Sequence, residues 1–392
     1  MTTGLILSGG GARAAYQVGV LKGVAELLPP YAYSPFPIIC GTSAGAINTL
    51  ALSGCAGSFQ QRVAGLEEMW QGLTADKIYR TDFLGVIKNS LKLVLALLHG
   101  GTGVRQPVAL LDNAPLRKLL HEYVRFRDID EAIASGYLKA VAVTAMSYSS
   151  GQSISFFQGD HDNWQRVRRM GIRTGLTLDH LMASAAIPTL FAPVKIGGRY
   201  YGDGALRQLK PLSPALRLGA NRLFVVGVSD NIVSLNPGDI AYHPPSLAQM
   251  IGHMLNSAFI DTMESDLETL RAINKLVANR APGDKDNDGL GEMRKIDYLC
   301  ITPSQAINKL AEDYLHELPA TVRTFLRLTG ATARGGGSSA ASYLLFEPGF
   351  CSHLIDLGYR DTLKQEAEVL SFFNHQAEAG AASPASGEYS RP

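Results

Sequence analysis

Two short apolar runs near the start of the chain each stop abruptly at glycine. Leu5-Ile6-Leu7-Ser8 runs into Gly9-Gly10-Gly11, and Pro37-Ile38-Ile39-Cys40 runs into Gly41-Thr42-Ser43-Ala44-Gly45. A helical pattern follows each. Val18, Leu21, Val24, Ala25 and Leu28 recur at helical spacing between Ala14 and Leu28, where Pro29-Pro30 closes the segment. Ala46 to Leu52 reads as a second, buried helix. The order strand, glycine loop, helix, strand, tight turn, helix is the opening of a parallel α/β sheet. Further buried-type strands are expected at 138–143, 223–228 and 298–301, with helical segments between them.

Composition removes several classes. Hydrophobic residues make up 46% and charged residues 18% of 392, the opposite of a disordered chain. Lys and Arg number 36 against 35 Asp and Glu, so no basic nucleic-acid footprint covers the chain. Forty glycines, about a tenth of the chain against a usual ~7%, call for tight turns and close backbone approaches. Cys40, Cys55, Cys300 and Cys351 lie far apart without C-x-x-C spacing, so no zinc or redox site is expected, and a reducing, cytoplasmic compartment is the simpler reading. The first residues lack a basic n-region, and no uninterrupted apolar run reaches ~18 residues; a leader and a spanning helix are both unexpected.

Gly41-Thr42-Ser43-Ala44-Gly45 is G-x-S-x-G in the strand–turn–helix setting that the motif requires. The glycines Gly41 and Gly45 permit a sharp turn that lifts the Ser43 hydroxyl to the strand tip. There the N-terminus of the next helix favours an alkoxide or oxyanion. A tight Gly/Ser turn without chemistry is the plain alternative. Gly9-Gly10-Gly11 can aim successive backbone N–H groups into one space as an anion nest, with Arg13 adding fixed charge or, more simply, pairing locally. Gly9-x-Gly11-x-x-Ala14 also fits a dinucleotide fingerprint. However, the second strand ends in Cys40-Gly41-Thr42-Ser43 with no acidic residue for a ribose, and no Lys-Ser/Thr follows for a phosphate loop. No cofactor is expected. A serine nucleophile needs a base, and none of the nine histidines sits in an evident catalytic turn. Asp203 differs: it ends a hairpin, Val194-Lys195-Ile196 returning through Tyr200-Tyr201, and stands between Gly202 and Gly204, although an Asp between glycines is usually a turn residue.

Four segments, Gly9-Gly10-Gly11-Ala12-Arg13, Gly41-Thr42-Ser43-Ala44-Gly45, Ala183 to Pro193 (ASAAIPTLFAP) and Asp203-Gly204-Ala205, occur in the order seen in patatin-like phospholipases, and the resemblance covers about residues 4 to 230. It implies a three-layer α/β/α fold with a mainly parallel sheet. It implies a dyad rather than a triad, with Ser43 as nucleophile, Asp203 as base, and Gly10, Gly11 and Arg13 in the anion-stabilising loop. Ala14 stands where many members have glycine, a departure of little expected consequence at a helix start.

The organisation expected is a catalytic region over 1–230, a mainly helical C-terminal extension over 231–375 that completes or packs on it, and a disordered Ala/Gly/Ser/Pro-rich tail over 376–392. The expected partner is a lipid or other acyl ester, not nucleic acid, and a homo-oligomer is compatible with the chain. Phe83 to His99 has a narrow basic face and a wide apolar one; it suits a peripheral membrane contact or lid, and equally a core or dimer-interface helix. Asp284 to Gly289 copies half of an EF-hand loop, but Lys295 occupies the position that needs a bidentate Glu, so a solvated acidic turn is expected there and no metal. Lipid-ester hydrolysis is the leading function. The same dyad would serve a polyester depolymerase, a thioesterase or an acyltransferase. A lipid- or nucleotide-binding protein, the non-enzymatic alternative, has no need of both Ser43 and Asp203.

Overall fold

The computed structural model describes residues 1–80, 109–229, 246–279, 293–328 and 338–381. The segment Phe83 to His99 and the acidic loop at 284–289 lie outside these residues. The strands are β1 (Thr3–Leu7), β2 (Ile38–Thr42), β3 (Ala140–Ser147), β4 (Ser153–Gly159), β5 (Trp164–Arg166), β6 (Arg169–Arg173), β7 (Val194–Ile196), β8 (Arg199–Asp203), β9 (Arg222–Val226) and β10 (Asp297–Ile301). All ten join one sheet. Its order is β10-β9-β1-β2-β3-β4-β6-β5, with β8 paired to β3 and β7 to β8.

The centre is parallel, β10 to β3, as the alternation of strands and helices requires. Its inner strands are buried on both faces: every residue of β1, β2 and β9 is buried, which is why they read as continuous apolar runs rather than alternating ones. β3 pairs antiparallel with both β4 and β8, while β4 and β6 run parallel. Flanking helices cover both faces, giving a three-layer α/β/α fold with a mainly parallel sheet.

One layer is led by α1 (Ala15–Leu27) and α2 (Ala44–Ser53), the latter buried at every residue. The helix Pro348–Lys364 lies against α1 so closely that a Cβ on Gly19 would overlap the carbonyl of Ile355, and one on Gly358 the carbonyl of Tyr16. Tyr16 also donates to buried Asp361 at 3.2 Å. The C-terminal region therefore belongs to the same fold. It supplies the edge strand β10 as well as helices, and Phe372 and Phe373 reach the ring of Phe224 on β9 at 5.9 Å. The helix Glu366–Ala381 runs past the boundary expected at 375, because Gln376, Ala377, Glu378 and Ala379 are good helix formers; residues 382–392 lie outside the described ones.

Candidate active site

The G-x-S-x-G turn joins the end of β2 to the start of α2. Two backbone approaches make glycine necessary. A Cβ on Gly45 would overlap the carbonyl oxygens of Leu7 and Ser8 at the end of β1, and one on Gly41 would overlap the carbonyl of Gly45. With Gly41 and Gly45 free of side chains, the turn closes tightly enough to hold Ser43 at φ 55° and ψ −127°. An L-residue pays about 1–3 kcal/mol for such a conformation. That cost is offset by bonds that fix it: the Ser43 N–H donates to Ser184 Oγ at 2.9 Å, and Ser184 Oγ donates to the Thr144 carbonyl at 2.6 Å.

Ser43 Oγ donates to Asp203 Oδ2 at 2.6 Å. The two residues are 160 positions apart and meet because β8 pairs with β3, setting Asp203 opposite Ala145, while β3 is also the parallel neighbour of β2. The carboxylate is held on its far side as well: Oδ1 accepts from the Ala205 N–H at 2.9 Å, and the Asp203 N–H donates to the Ala186 carbonyl at 2.8 Å. Gly204 allows this turn because any side chain there would overlap the Thr144 carbonyl. Ser43 is 2% exposed and Asp203 fully buried. Burial pushes the Asp203 carboxyl up to about 7, while the bonds from Ser43 and the Ala205 N–H pull it partly back. A group balanced near neutrality can both take and return a proton. Among the described residues no histidine bonds to Ser43 or Asp203. His180 is occupied with Thr177 at the start of its own helix, and His353 with Tyr314.

The loop after β1 lies against this pair. A Cβ on Gly9 would stand 3.0 Å from Ser43 Cβ and 2.5 Å from the ring of Phe259. Gly10 faces Val228, and Gly11 holds a left-handed φ of 55° directly against the Tyr343 carbonyl. The N–H groups of Gly9 and Gly10 donate to no protein acceptor among the described residues, as an anion nest requires. The loop is fastened from behind. Gln17 donates to the Ser8 carbonyl at 2.8 Å, Asn48 donates to Gln17 at 2.9 Å, and Trp70 donates to Asn48 at 2.7 Å, all in the core. A cavity of about 480 Å³ opens beside it, with Ser8, Val228, Phe259 and Met263 in its wall.

Arg13 departs from expectation. Its guanidinium turns to the helix Ser338–Leu344, where Nε donates to Ser342 Oγ at 2.8 Å and the plane lies 4.2 Å from the centre of the Tyr343 ring. Arg13 is 3% exposed, and no bond links it to Ser43 or Asp203. The reason is geometric. The residues from Gly11 to Ala14 form a 3-10 turn that carries the side chain toward the C-terminal helix while the glycine amides stay at the elbow. The charge ties the C-terminal region to the glycine loop instead of facing Ser43.

Three contributors leave little trace in the sequence. Ser184 sits inside a segment noted for its resemblance; its place among the small residues Ala183, Ala185 and Ala186 signals close packing but not its bond to the elbow. Gln208 accepts from Thr42 Oγ1 at 2.5 Å and donates to Thr144 Oγ1 at 3.2 Å, bracing the end of β2. Phe259 comes from a short π-helical stretch, Ser257–Asp261, whose rule-breaking geometry no periodicity reveals. No group of His, Cys, Asp and Glu among the described residues could hold a metal ion.

The model of the patatin-like phospholipase family matches residues 5–216, more than half of the chain. A cGAMP-activated phospholipase of Pseudomonas aeruginosa (strain BWHPSA011 / Pa011) is 29% identical over 203 residues, which make up 52% of each protein, so the match spans about half the length of that relative. Among solved structures, human GIVD cytosolic phospholipase A2 in complex with methyl γ-linolenyl fluorophosphonate aligns with 97% of this chain and 60% of its own at 12% identity and a TM-score of 0.42. Another structure of human GIVD cytosolic phospholipase A2 aligns with 96% of this chain and 63% of its own at 10% identity and a TM-score of 0.37. The family match, over the residues that carry the elbow, the glycine loop and the aspartate, makes this chain a member of the patatin-like phospholipase family.

Proposed function

We propose that the protein is a serine acyl hydrolase of lipid esters, of phospholipase A or lysophospholipase type, working through a Ser43–Asp203 dyad. The observation that carries this reading is the 2.6 Å bond from Ser43 Oγ to a buried carboxylate, at an elbow whose backbone is strained to present that hydroxyl. A turn with no chemistry would need neither.

The steps follow from the geometry. Asp203 takes the Ser43 proton as Oγ attacks the acyl carbonyl. A carboxylate in water is a weak base, but one raised to about 7 by burial is better matched to the task. The tetrahedral oxyanion is met by the N–H groups of Gly9, Gly10 and Gly11, and each such donor contributes about 3–4 kcal/mol to the transition state. Asp203 returns the proton to the departing alcohol, leaving an acyl group on Ser43, and then activates the water that releases it. The cavity beside Phe259 adjoins the loop and offers room for part of the substrate. A lipid substrate brings the protein to a membrane surface. No helix among the described residues is long and apolar enough to cross one, so contact at the surface fits.

The test is hydrolysis of a mixed phospholipid and lysophospholipid panel by wild type, Ser43→Ala and Asp203→Asn. The reading requires fatty-acid release by wild type and a loss of at least about a hundredfold in kcat in each variant with folding intact. A Ser43→Ala protein that retains more than that, or a wild type that cleaves no ester, overturns it.

A further inference from the structure

A second cavity, of about 350 Å³, lies between the β5–β6 hairpin, the start of β4 and the segment after Asp203. Its wall carries Arg168, Arg169, Arg207 and Lys210, and no described lining residue is acidic. Lys210 pairs with Asp266 at 3.2 Å. The three arginines have no ion pair or side-chain hydrogen bond within the described residues. Like charges gathered around one hollow repel one another, and a bound anion relieves that repulsion. Guanidinium groups in particular suit phosphate, which they grip through two parallel bonds.

The site is built on fixed elements. The Ser153 N–H donates to the Arg168 carbonyl at 3.0 Å, which clamps the hairpin turn to β4. Trp164 lines the cavity with its ring stacked on Phe157 at 4.9 Å. At the rim, Val167 is 86% exposed and Leu209 56% exposed, two aliphatic side chains beside the cationic cluster. An anion with an apolar part attached matches both features. The cavity is also next to the dyad without containing it. Arg207 follows Asp203 by four residues, and Gln208, in the cavity wall, braces Thr42 immediately before Ser43.

We propose that this cavity binds a phosphate ester, distinct from the acyl group held at Ser43. The chemistry is that of an anionic phospholipid headgroup or of a free phosphorylated molecule. The proposal stands apart from the hydrolase reading, because it is tested by binding and not by turnover.

The chain has two tryptophans, Trp70 in the core and Trp164 in this cavity, so titration can be followed by emission, with Trp164→Phe showing which ring reports and calorimetry run in parallel. The first probe is inorganic pyrophosphate. The second is co-sedimentation with phosphatidylcholine vesicles with and without phosphatidylglycerol. The paired variants are Arg168→Gln with Arg207→Gln, and Arg168→Lys with Arg207→Lys, each checked for native melting. Wild type is expected to bind saturably. The double Gln variant is expected to weaken binding about tenfold or more, and the double Lys variant, which keeps the charge but not the planar fork, to fall between it and the wild type. Saturable pyrophosphate binding without preference for the anionic vesicles identifies a free phosphorylated ligand. Preference for the anionic vesicles, lost in the Gln variant, identifies the headgroup. Binding of neither probe, or binding that the Gln variant leaves unchanged, overturns the proposal.

Discussion

Asp203→Asn should inactivate the protein and at the same time stabilise it, by an amount that depends on pH. The carboxyl is fully buried and raised from an ordinary value of about 3.9 to about 7, chiefly by loss of hydration. Below about pH 4 the group is neutral in the folded and unfolded chains alike and costs nothing. Between about pH 4 and 7 the unfolded chain releases the proton and the folded chain keeps it, so the wild type loses stability as pH rises through this window. Above about 7 the folded chain carries the buried charge, and the loss is complete. Some three pH units at 1.36 kcal/mol each give about 4 kcal/mol. Asparagine has the same shape: its oxygen can still accept from the Ala205 N–H and its amide can donate to Ser43 Oγ. Thermal and urea unfolding of both proteins from pH 4 to 9 should show the Asn variant gaining on the wild type by up to about 4 kcal/mol, mostly between pH 4 and 7. A difference that stays flat over that range, or one that favours the wild type at pH 9, refutes the argument that burial sets this carboxyl.

Other outcomes follow from the same site. kcat/KM of the wild type on a soluble ester should rise with pH through about 7 and level off, because Asp203 must lose its proton to act as base; a profile level from pH 5 to 9 contradicts this. Ser184→Ala removes one bond to the Ser43 N–H and one to the Thr144 carbonyl, both buried, and should cost about 1–3 kcal/mol of stability with a lower kcat at little change in KM, measurable by unfolding and kinetics together. Arg13→Met should loosen the helix Ser338–Leu344 and lower the melting temperature, with neutral and phosphate-bearing esters affected alike; a loss confined to phospholipids would instead place the guanidinium on substrate. Phe259→Ala, which clears the ring beside Gly9 and Ser43, should raise kcat/KM on a short-chain ester at the expense of about 3–5 kcal/mol of stability.

The residues that meet at the elbow were legible because their chemistry is local. The glycines that flank Ser43, and Gly204 beside Asp203, each record a backbone approach that excludes a side chain, and a sequence states that directly. The central strands were legible for a related reason, since burial on both faces makes them unbroken apolar runs. The far side of the sheet was not. Strands β4 to β6 alternate or carry charge, as in Trp164–Arg166 and Arg169–Arg173, and only their neighbours define them. Arg13 illustrates the same limit. Adjacency to Gly11 in sequence fixes its Cα near the loop, but its side chain follows a 3-10 turn to a partner 329 positions away. Ser184 and Gln208 act through bonds that exist only once β2, β3 and the segment after β8 are assembled, and no spacing encodes them.

In the proposed reaction Ser43, activated by Asp203, forms a covalent acyl intermediate. Mass mapping after treatment with an alkyl fluorophosphonate tests it most directly, because that reagent reports an activated serine independently of the natural substrate. One adduct per chain is expected, on the peptide that contains Ser43, with labelling abolished in Ser43→Ala and slowed by at least about a hundredfold in Asp203→Asn. An adduct on a different serine, or labelling of Ser43 at the same rate when Asp203 is replaced, would contradict it.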